Sequence, residues 1–420
     1  MLLLGLGTLL VGTGLLGTLL GLRAKLEDFS NTAIGAIMTA YYLGYVIGTF
    51  VVPVLIRRVG HIRAFAAMAA IGSAAVLCHG LVVHPVAWFA LRAVTGVAVL
   101  GVYMIVESWL NEQAPQVIRG QVFATYMMVS LISLALGQYL ILVGDIGALT
   151  LFAVAAMLFT LGLVPIAATR VHAPQPQLHP PALDFRHLLQ LSPLATLGAF
   201  MAGIVNSAFW GLGAVFSQRI GLSEAGTALF MSATILGGAL LQWPIGRWSD
   251  HHGRRGVLTL VSFAAMAVAL LMLLVMRHSL AALIACAFLY GGLMFSIYSL
   301  SVAYMNDRLH APGEVLEATR GLLLVYGIGA ITGPILGGPL MDLFGPGTVP
   351  AYSAAVLGLL GTIGLARMVW RSPVPLAEQG EFVPMVRTTP MALEMLPQAD
   401  AQMAMDLPPA EKESIRVRSP

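Results

Sequence analysis

Apolar runs long enough to cross a bilayer recur at 2–22, 32–56, 62–83, 86–109, 120–142 and 147–169. After a break they return at 193–216, 224–245, 257–276, 280–304, 319–341 and 349–370. A helix needs roughly 20 apolar residues to span the hydrocarbon, and it satisfies its backbone polar groups within one segment. The pattern therefore predicts an all-α integral membrane protein with twelve transmembrane helices in two groups of six.

Composition agrees, because 58% of the 420 residues are hydrophobic and only 10% are charged. Such a chain cannot hide its apolar surface in water. A formal charge of +3 spread over this background gives no footing for a nucleic-acid partner. Cys78 and Cys286 both fall inside apolar runs, where a thiol is a small packing group. The opening run lacks a basic start and a small-residue cleavage site, so it reads as a first membrane helix and not as a removable signal peptide. It begins with almost no polar tail, which leaves room for a start further upstream.

The expected organisation is an N-terminal six-helix bundle over 1–169, a linker over 170–190, a second six-helix bundle over 191–370 and a tail over 371–420. The linker is rich in Pro and His without an apolar run. The tail is Pro-rich, scattered with charge and Met, and is expected to be disordered and cytoplasmic. Orientation follows from Lys and Arg. With a cytoplasmic N-terminus, the cytoplasmic loops carry Arg57, Arg58, Arg63, Arg119, Arg170, Arg186, Arg247, Arg254, Arg255, Arg308 and Arg320. The outer loops carry only Arg23, Lys25, Arg219 and Arg277. Both termini are thus expected in the cytoplasm.

The halves echo each other, as parallel repeats do. Gly44 and Gly60 return 193 positions later as Gly237 and Gly253, Asn111 returns 195 later as Asn306, and Gly137 returns 196 later as Gly333.

Between the eighth and ninth runs lies GRWSDHHGRR, in which Gly246, Asp250, Gly253, Arg254 and Arg255 are ordered as a tight charged turn. This turn resembles the signature loop of the major facilitator superfamily, with His251 where that pattern has an arginine. The first half carries its counterpart as Arg57, Arg58 and Gly60, with Arg57 standing where Asp250 stands. The resemblance implies that such a loop helps hold one face closed. That gating role is assigned to Asp250 with Arg254, and the first loop is left as a basic anchor.

Ionisable groups inside a membrane are expensive and are functional candidates. Arg92 and Glu107, both on the fourth predicted helix, are about 22 Å apart along it and cannot pair directly. Arg92 sits in LRAVTG, similar to an element of proton-driven exporters in which the arginine is linked to proton transfer. A snorkelling arginine is the plainer alternative. Glu107 lies near its helix end, within reach of Arg57, Arg58 or Arg119, and a gating ion pair is expected ahead of a proton carrier. On the eleventh helix Gly329, Gly333, Pro334, Gly337 and Gly338 resemble an antiporter signature that normally lies on the fifth. Their spacing reads as a packing face and hinge.

A cavity between bundles would be lined by polar and aromatic groups. Tyr41, Tyr42, Tyr45, Tyr126, Gln138, Asn206, Trp210, Gln242, Trp243, Tyr298 and Tyr326 are the candidates, with Asn206 and Trp210 one turn apart on one face. The expected cavity is aromatic, neutral and weakly hydrogen-bonding.

No Walker loop, metal-ligand spacing or paired intramembrane carboxylate occurs, so no catalysis, cofactor or metal is expected. The passages VESWLNEQAPQVIRGQVFATYMM and LLQWPIGRWSDHHGRR are similar to the YcaD-like branch of the superfamily. The resemblance implies a bacterial inner-membrane protein with two pseudo-symmetric bundles working by alternating access. The expected function is secondary active transport of a small neutral or amphipathic organic molecule, as proton-coupled efflux, by a monomer with protons as coupling ion and the lipid bilayer as surroundings. Uptake of a nutrient or organic anion is the alternative, and a non-transporting sensor or scaffold is the alternative of another class.

Overall fold

The computed structural model describes residues 1–115, 118–168, 185–309 and 314–370, together with Gln379 and Phe382. Its first six spans are formed by α1 (Leu2–Leu26), α2 (Asn31–Val59), α3 (His61–Leu81), α4 (Pro85–Gln113), α5 (Arg119–Tyr139) and the pair α6 (Thr150–Leu161) and α7 (Leu163–Ala167). A short α8 (Phe185–Leu191) precedes α9 (Pro193–Arg219), α10 (Glu224–His252), α11 (Arg254–Val275), α12 (Leu280–Asn306), α13 (Glu314–Phe344) and α14 (Thr348–Trp370). Among the described residues, 11 helices are long and apolar enough to cross a membrane, and Thr150–Ile166 is a shorter apolar unit.

Two details differ from the sequence reading. The sixth expected span is split around Gly162, because Pro165 has no N–H for the carbonyl of Leu161 and the helical ladder is interrupted there. Part of the expected linker is helical, since α8 occupies its end and packs on α9 and α13. The rest of that linker, and the expected tail apart from Gln379 and Phe382, lie outside the described residues. Serines start several spans cleanly: Ser30, Ser192, Ser223 and Ser279 each accept from the main-chain N–H three residues on.

Small residues set how closely the helices approach. Helix α2 packs on α4 and α10 on α12, while α1 packs on α5 and α9 on α13. Gly44 meets the carbonyl of Ala93, and Gly96 meets that of Tyr41; in the second bundle Gly237 meets the carbonyl of Phe288 and Gly291 that of Thr234. A β-carbon at any of these four glycines would strike backbone, so each helix pair is built from two reciprocal glycine contacts. Gly137 against Val11 and Gly333 against Ile204 repeat the scheme at the other pairing. The sequence repeat is thus a repeat of helix contacts, and the fold is two pseudo-symmetric six-helix bundles.

Gly237→Val is expected to destabilise the protein by more than the ~1–3 kcal/mol of an ordinary overpacked core, because backbone cannot rotate aside as a side chain does. Thermal unfolding in detergent checks this against Gly17→Ala, where nothing lies within 4 Å of the added carbon.

Candidate gates and central site

At the end of the molecule that carries the two signature turns, Gly60 and Gly253 both adopt positive φ, 81° and 77°, between consecutive spans. This region suits glycine, and the turn brings the first residue of the next helix inward. In the second bundle that residue is Arg254, 1% exposed, which bonds Asp250 Oδ1 at 2.9 Å and lies 3.3 Å from Asp307 Oδ2 at the end of α12. Arg255 Nη1 donates to the carbonyl of Arg367 on α14 at 3.2 Å. In the first bundle His61 takes the place of Arg254, and its Nε2 lies 3.1 Å from Ser108 Oγ on α4. Arg57 and Arg58 are exposed at the end of α2. The Asp250–Arg254–Asp307 arrangement stands in the second bundle. Phe382 adds to it: its main-chain N–H donates to Asp250 Oδ2 at 3.3 Å, and its ring packs directly on Gly246.

The opposite end is held by a residue that sequence reasoning passed over. Asp342, near the end of α13, accepts from the main-chain N–H and Nδ2 of Asn31 at 3.0 and 2.7 Å, and from the N–H and Oγ1 of Thr32 at 2.8 and 2.7 Å. Those main-chain groups open α2, where helical N–H groups have no partner within the helix and the dipole favours an anion. One carboxylate of the second bundle thus caps a helix of the first. Nearby, Gly338 sits against the carbonyl of Asn31, Gly35 against that of Pro334, and Gly21 on α1 against Val215 on α9. Thr39 Oγ1 donates to the carbonyl of Ile331 at 3.3 Å and Ser232 Oγ to that of Ala135 at 3.0 Å. These contacts between bundles all fall in the half of the molecule away from the signature turns.

The expected hinge residues divide between two partners. Gly329, Gly333 and Gly337 face α9 through Phe200, Ile204 and Leu212, Gly338 faces α2, and Pro334 touches both, its carbonyl against Gly35 of α2 and its ring against Gly211 of α9. Helix α13 runs unbroken through Pro334 and Pro339.

At mid-depth a small cavity of about 20 Å³ is walled by Tyr41, Tyr42, Met38 and Arg92 from the first bundle and by Trp210 and Gly211 from the second. Arg92 is 7% exposed, its guanidinium carbon stands 4.6 Å above the centre of the Tyr41 ring, and Nη2 lies 4.0 Å from Met38 Sδ. Trp210 packs edge-on with Phe209 and against Phe295. Asn206, one turn along α9, and Tyr298 are each 3% exposed, and Asn206 Oδ1 and Tyr298 Oη have no hydrogen-bond partner among the described residues. An unpaired buried polar atom costs ~1–3 kcal/mol, a penalty that a ligand can relieve. Tyr298 and Tyr326 pack with ring centres 4.9 Å apart.

Other candidates lie elsewhere. Gln138 ties α5 to α1, accepting from Thr18 Oγ1 and donating to the carbonyl of Gly14 at 3.1 Å. Gln242 ties α10 to α12 through Ser299 Oγ at 2.6 Å. Both are fasteners within a bundle. Trp243 is exposed at the membrane-facing surface, with Arg247 over its ring. Glu107 is 0% exposed and accepts from the Tyr126 hydroxyl. It is deeper than its place near the expected helix end implied, because α4 continues to Gln113. Asp307 and Asp342 escaped notice because each acid stands at a helix end that reads as a solvated turn; the scarcity of acids in the chain was the signal that could have found them.

The sequence pattern of the Major Facilitator Superfamily matches residues 2–196 and 195–397. The "Uncharacterized MFS-type transporter YcaD" of Escherichia coli O7:K1 is 28% identical over 379 residues, covering 90% of this chain and 97% of the relative, and its namesake in Shigella flexneri serotype 5b matches to the same extent. Among solved structures, the nucleoside transporter NupG superposes with a TM-score of 0.70 at 14% identity, covering 88% of this chain and 98% of that one. A bacterial homolog of the human lysosomal transporter Spinster, inward-facing and occupied, gives 0.68 at 13% identity, covering 90% and 97%. With the family pattern running through both bundles, this chain belongs to the major facilitator superfamily, in its YcaD-like branch, and is a membrane transporter.

Proposed function

We propose that the protein is a secondary active carrier that moves a small neutral or amphipathic organic molecule by alternating access, as a proton-coupled exporter of the bacterial inner membrane. The observation that carries the mechanism is the placing of a cavity with walls from both bundles beneath a set of contacts that join the bundles at one end. A site so walled changes its exposure when the bundles rock, without any helix unfolding. The distribution of arginine supports a cytoplasmic side for the signature turns and both termini, and on that reading the bundles are joined toward the outside. Export is read from the similarity of LRAVTG and of the glycine-proline run on α13 to exporter elements. The protein is taken as a monomer in the lipid bilayer, with neither catalytic group nor cofactor.

The test is proton flux and substrate accumulation in proteoliposomes across hydrophobic cations, neutral aromatics and small organic acids, comparing wild type with Asp250→Asn. A substrate-dependent proton flux, lost in the variant, is expected. No flux for any compound in folded protein overturns the coupled-exporter reading and leaves uptake of an untested nutrient and the sensor. Uptake of an organic anion is the second reading, favoured by Arg92 at the cavity wall. Glu107 is assigned to gating. Glu107→Gln is accordingly expected to retain the pH dependence of transport, and its loss in a folded variant would make Glu107 the proton carrier.

A further inference from the structure

We propose that the cargo is a flat molecule bearing a cyclic amide or a like edge, an N–H donor beside a carbonyl, and that Asn206 and Tyr298 read that edge where the two bundles meet. The inference rests on the carrier reading and narrows its substrate class.

Register places the two residues together. Helices α9 and α12 run antiparallel, since Gly198 lies against Ser301 while Trp210 packs on Phe295. Asn206 falls between Gly198 and Trp210 on one helix, and Tyr298 falls between Phe295 and Ser301 on the other, so they share one level. Asn206 is one turn from Trp210 on the same face, and Trp210 walls the central cavity. The Tyr298 ring packs on Tyr326 of α13 at 4.9 Å between centres, and the residue after Tyr326, Gly327, faces Val46 of α2. The pair therefore stands at the seam between the second bundle and the first.

Chemistry sets the class. Both side chains are 3% exposed, and Asn206 Oδ1 and Tyr298 Oη have no hydrogen-bond partner among the described residues. A buried polar atom ordinarily has one. Oδ1 accepts, so what it lacks is a donor, and the amide N–H groups beside it donate. A carboxamide offers that acceptor and donor side by side whichever way it is turned. Its complement is another amide held cis, as a ring holds it. The Tyr298 hydroxyl can donate to the second lone pair of the same carbonyl. Neither group carries charge, so neither compensates an ionic group placed on it. The ring itself finds an apolar wall in Trp210, whose centre is 5.3 Å from that of Phe209 and 6.2 Å from that of Phe295. The present cavity, about 20 Å³, admits little more than one water, so room for a ring arises as the bundles part.

Equilibrium dialysis of 2-quinolinone and of coumarin against the full chain in detergent, with empty micelles as the blank, tests this. The two ligands share shape and carbonyl, and differ in having an N–H or a ring oxygen beside it. Wild type is expected to bind 2-quinolinone about tenfold more tightly, the worth of one hydrogen bond. Asn206→Leu should erase that preference. Tyr298→Phe should weaken both ligands alike and keep the preference, because both retain the carbonyl. Neither substitution removes a hydrogen bond made by Asn206 Oδ1 or Tyr298 Oη within the described protein, so both variants should melt no lower than wild type. Asn206→Ala carries the test if Asn206→Leu fails to fold. Equal binding of the two ligands by wild type, or a preference that survives loss of the Asn206 amide, overturns the inference. So does absence of binding by both; substrate-dependent flux of another compound in proteoliposomes would then show that the carrier reading stands without it.

Discussion

On the proposed alternating-access mechanism, Asp342→Ala is expected to release the end at which the two bundles are joined. The substitution removes the acceptor of four hydrogen bonds, all from the first two residues of α2 in the other bundle. The α2 N–H groups would then turn to water, so only part of the interaction is lost on balance. A hydrogen bond to a charged group is worth ~1.5–3 kcal/mol, and a net loss equal to one such bond shifts the open-to-closed ratio roughly ten- to a hundredfold. Asp342→Asn should fall between, because the amide keeps one acceptor oxygen and turns donors toward donors. The measurement is the labelling rate of a cysteine at position 38, on the cavity wall, by a membrane-impermeant maleimide added from the Asp342 side, with Cys78 and Cys286 replaced. A rate unchanged in Asp342→Ala would remove the residue from the gate.

Arg254→Ala carries the second large effect, and this one is on stability. The guanidinium is 1% exposed and stands between Asp250 and Asp307, whose side chains are 25% and 2% exposed. Removing it leaves the Asp307 carboxylate in a desolvated place, where losing one partner of a buried pair costs about 3–5 kcal/mol. Asp250, nearer solvent, contributes less. The double variant Arg254→Met with Asp307→Asn removes the stranded charge and should recover a large part of the loss. Melting temperature in detergent separates the cases: a double variant no more stable than Arg254→Ala would mean that Asp307 is not the group left uncompensated.

Much of the fold was legible along the chain because a bilayer imposes one length and one polarity on each span. The signature turn was legible too, since Gly253 needs positive φ and the charges beside it are ordered by the turn itself. The site was legible only in part. Arg92 and Trp210 stand out by residue type and do meet at one cavity. Gln138 and Gln242 stand out equally, yet each is occupied by hydrogen bonds inside its own bundle. A polar residue on an apolar helix announces that it needs a partner, and leaves open whether that partner is a neighbouring helix or a cargo.

The sequence by itself determined the number of spans, their division into two groups and the repeat relating them, because hydropathy and glycine spacing act through segments that are local in the chain. Tertiary structure alone decided where the two bundles touch and through which residues. Asp342 and Asn31 are separated by most of the chain, and neither residue type marks its partner. Their contact exists because the packing of α13 on α2 brings a carboxylate to the open N–H groups of a helix start. Where the bundles meet is a property of complementary surfaces, and those surfaces form only once every helix is in place.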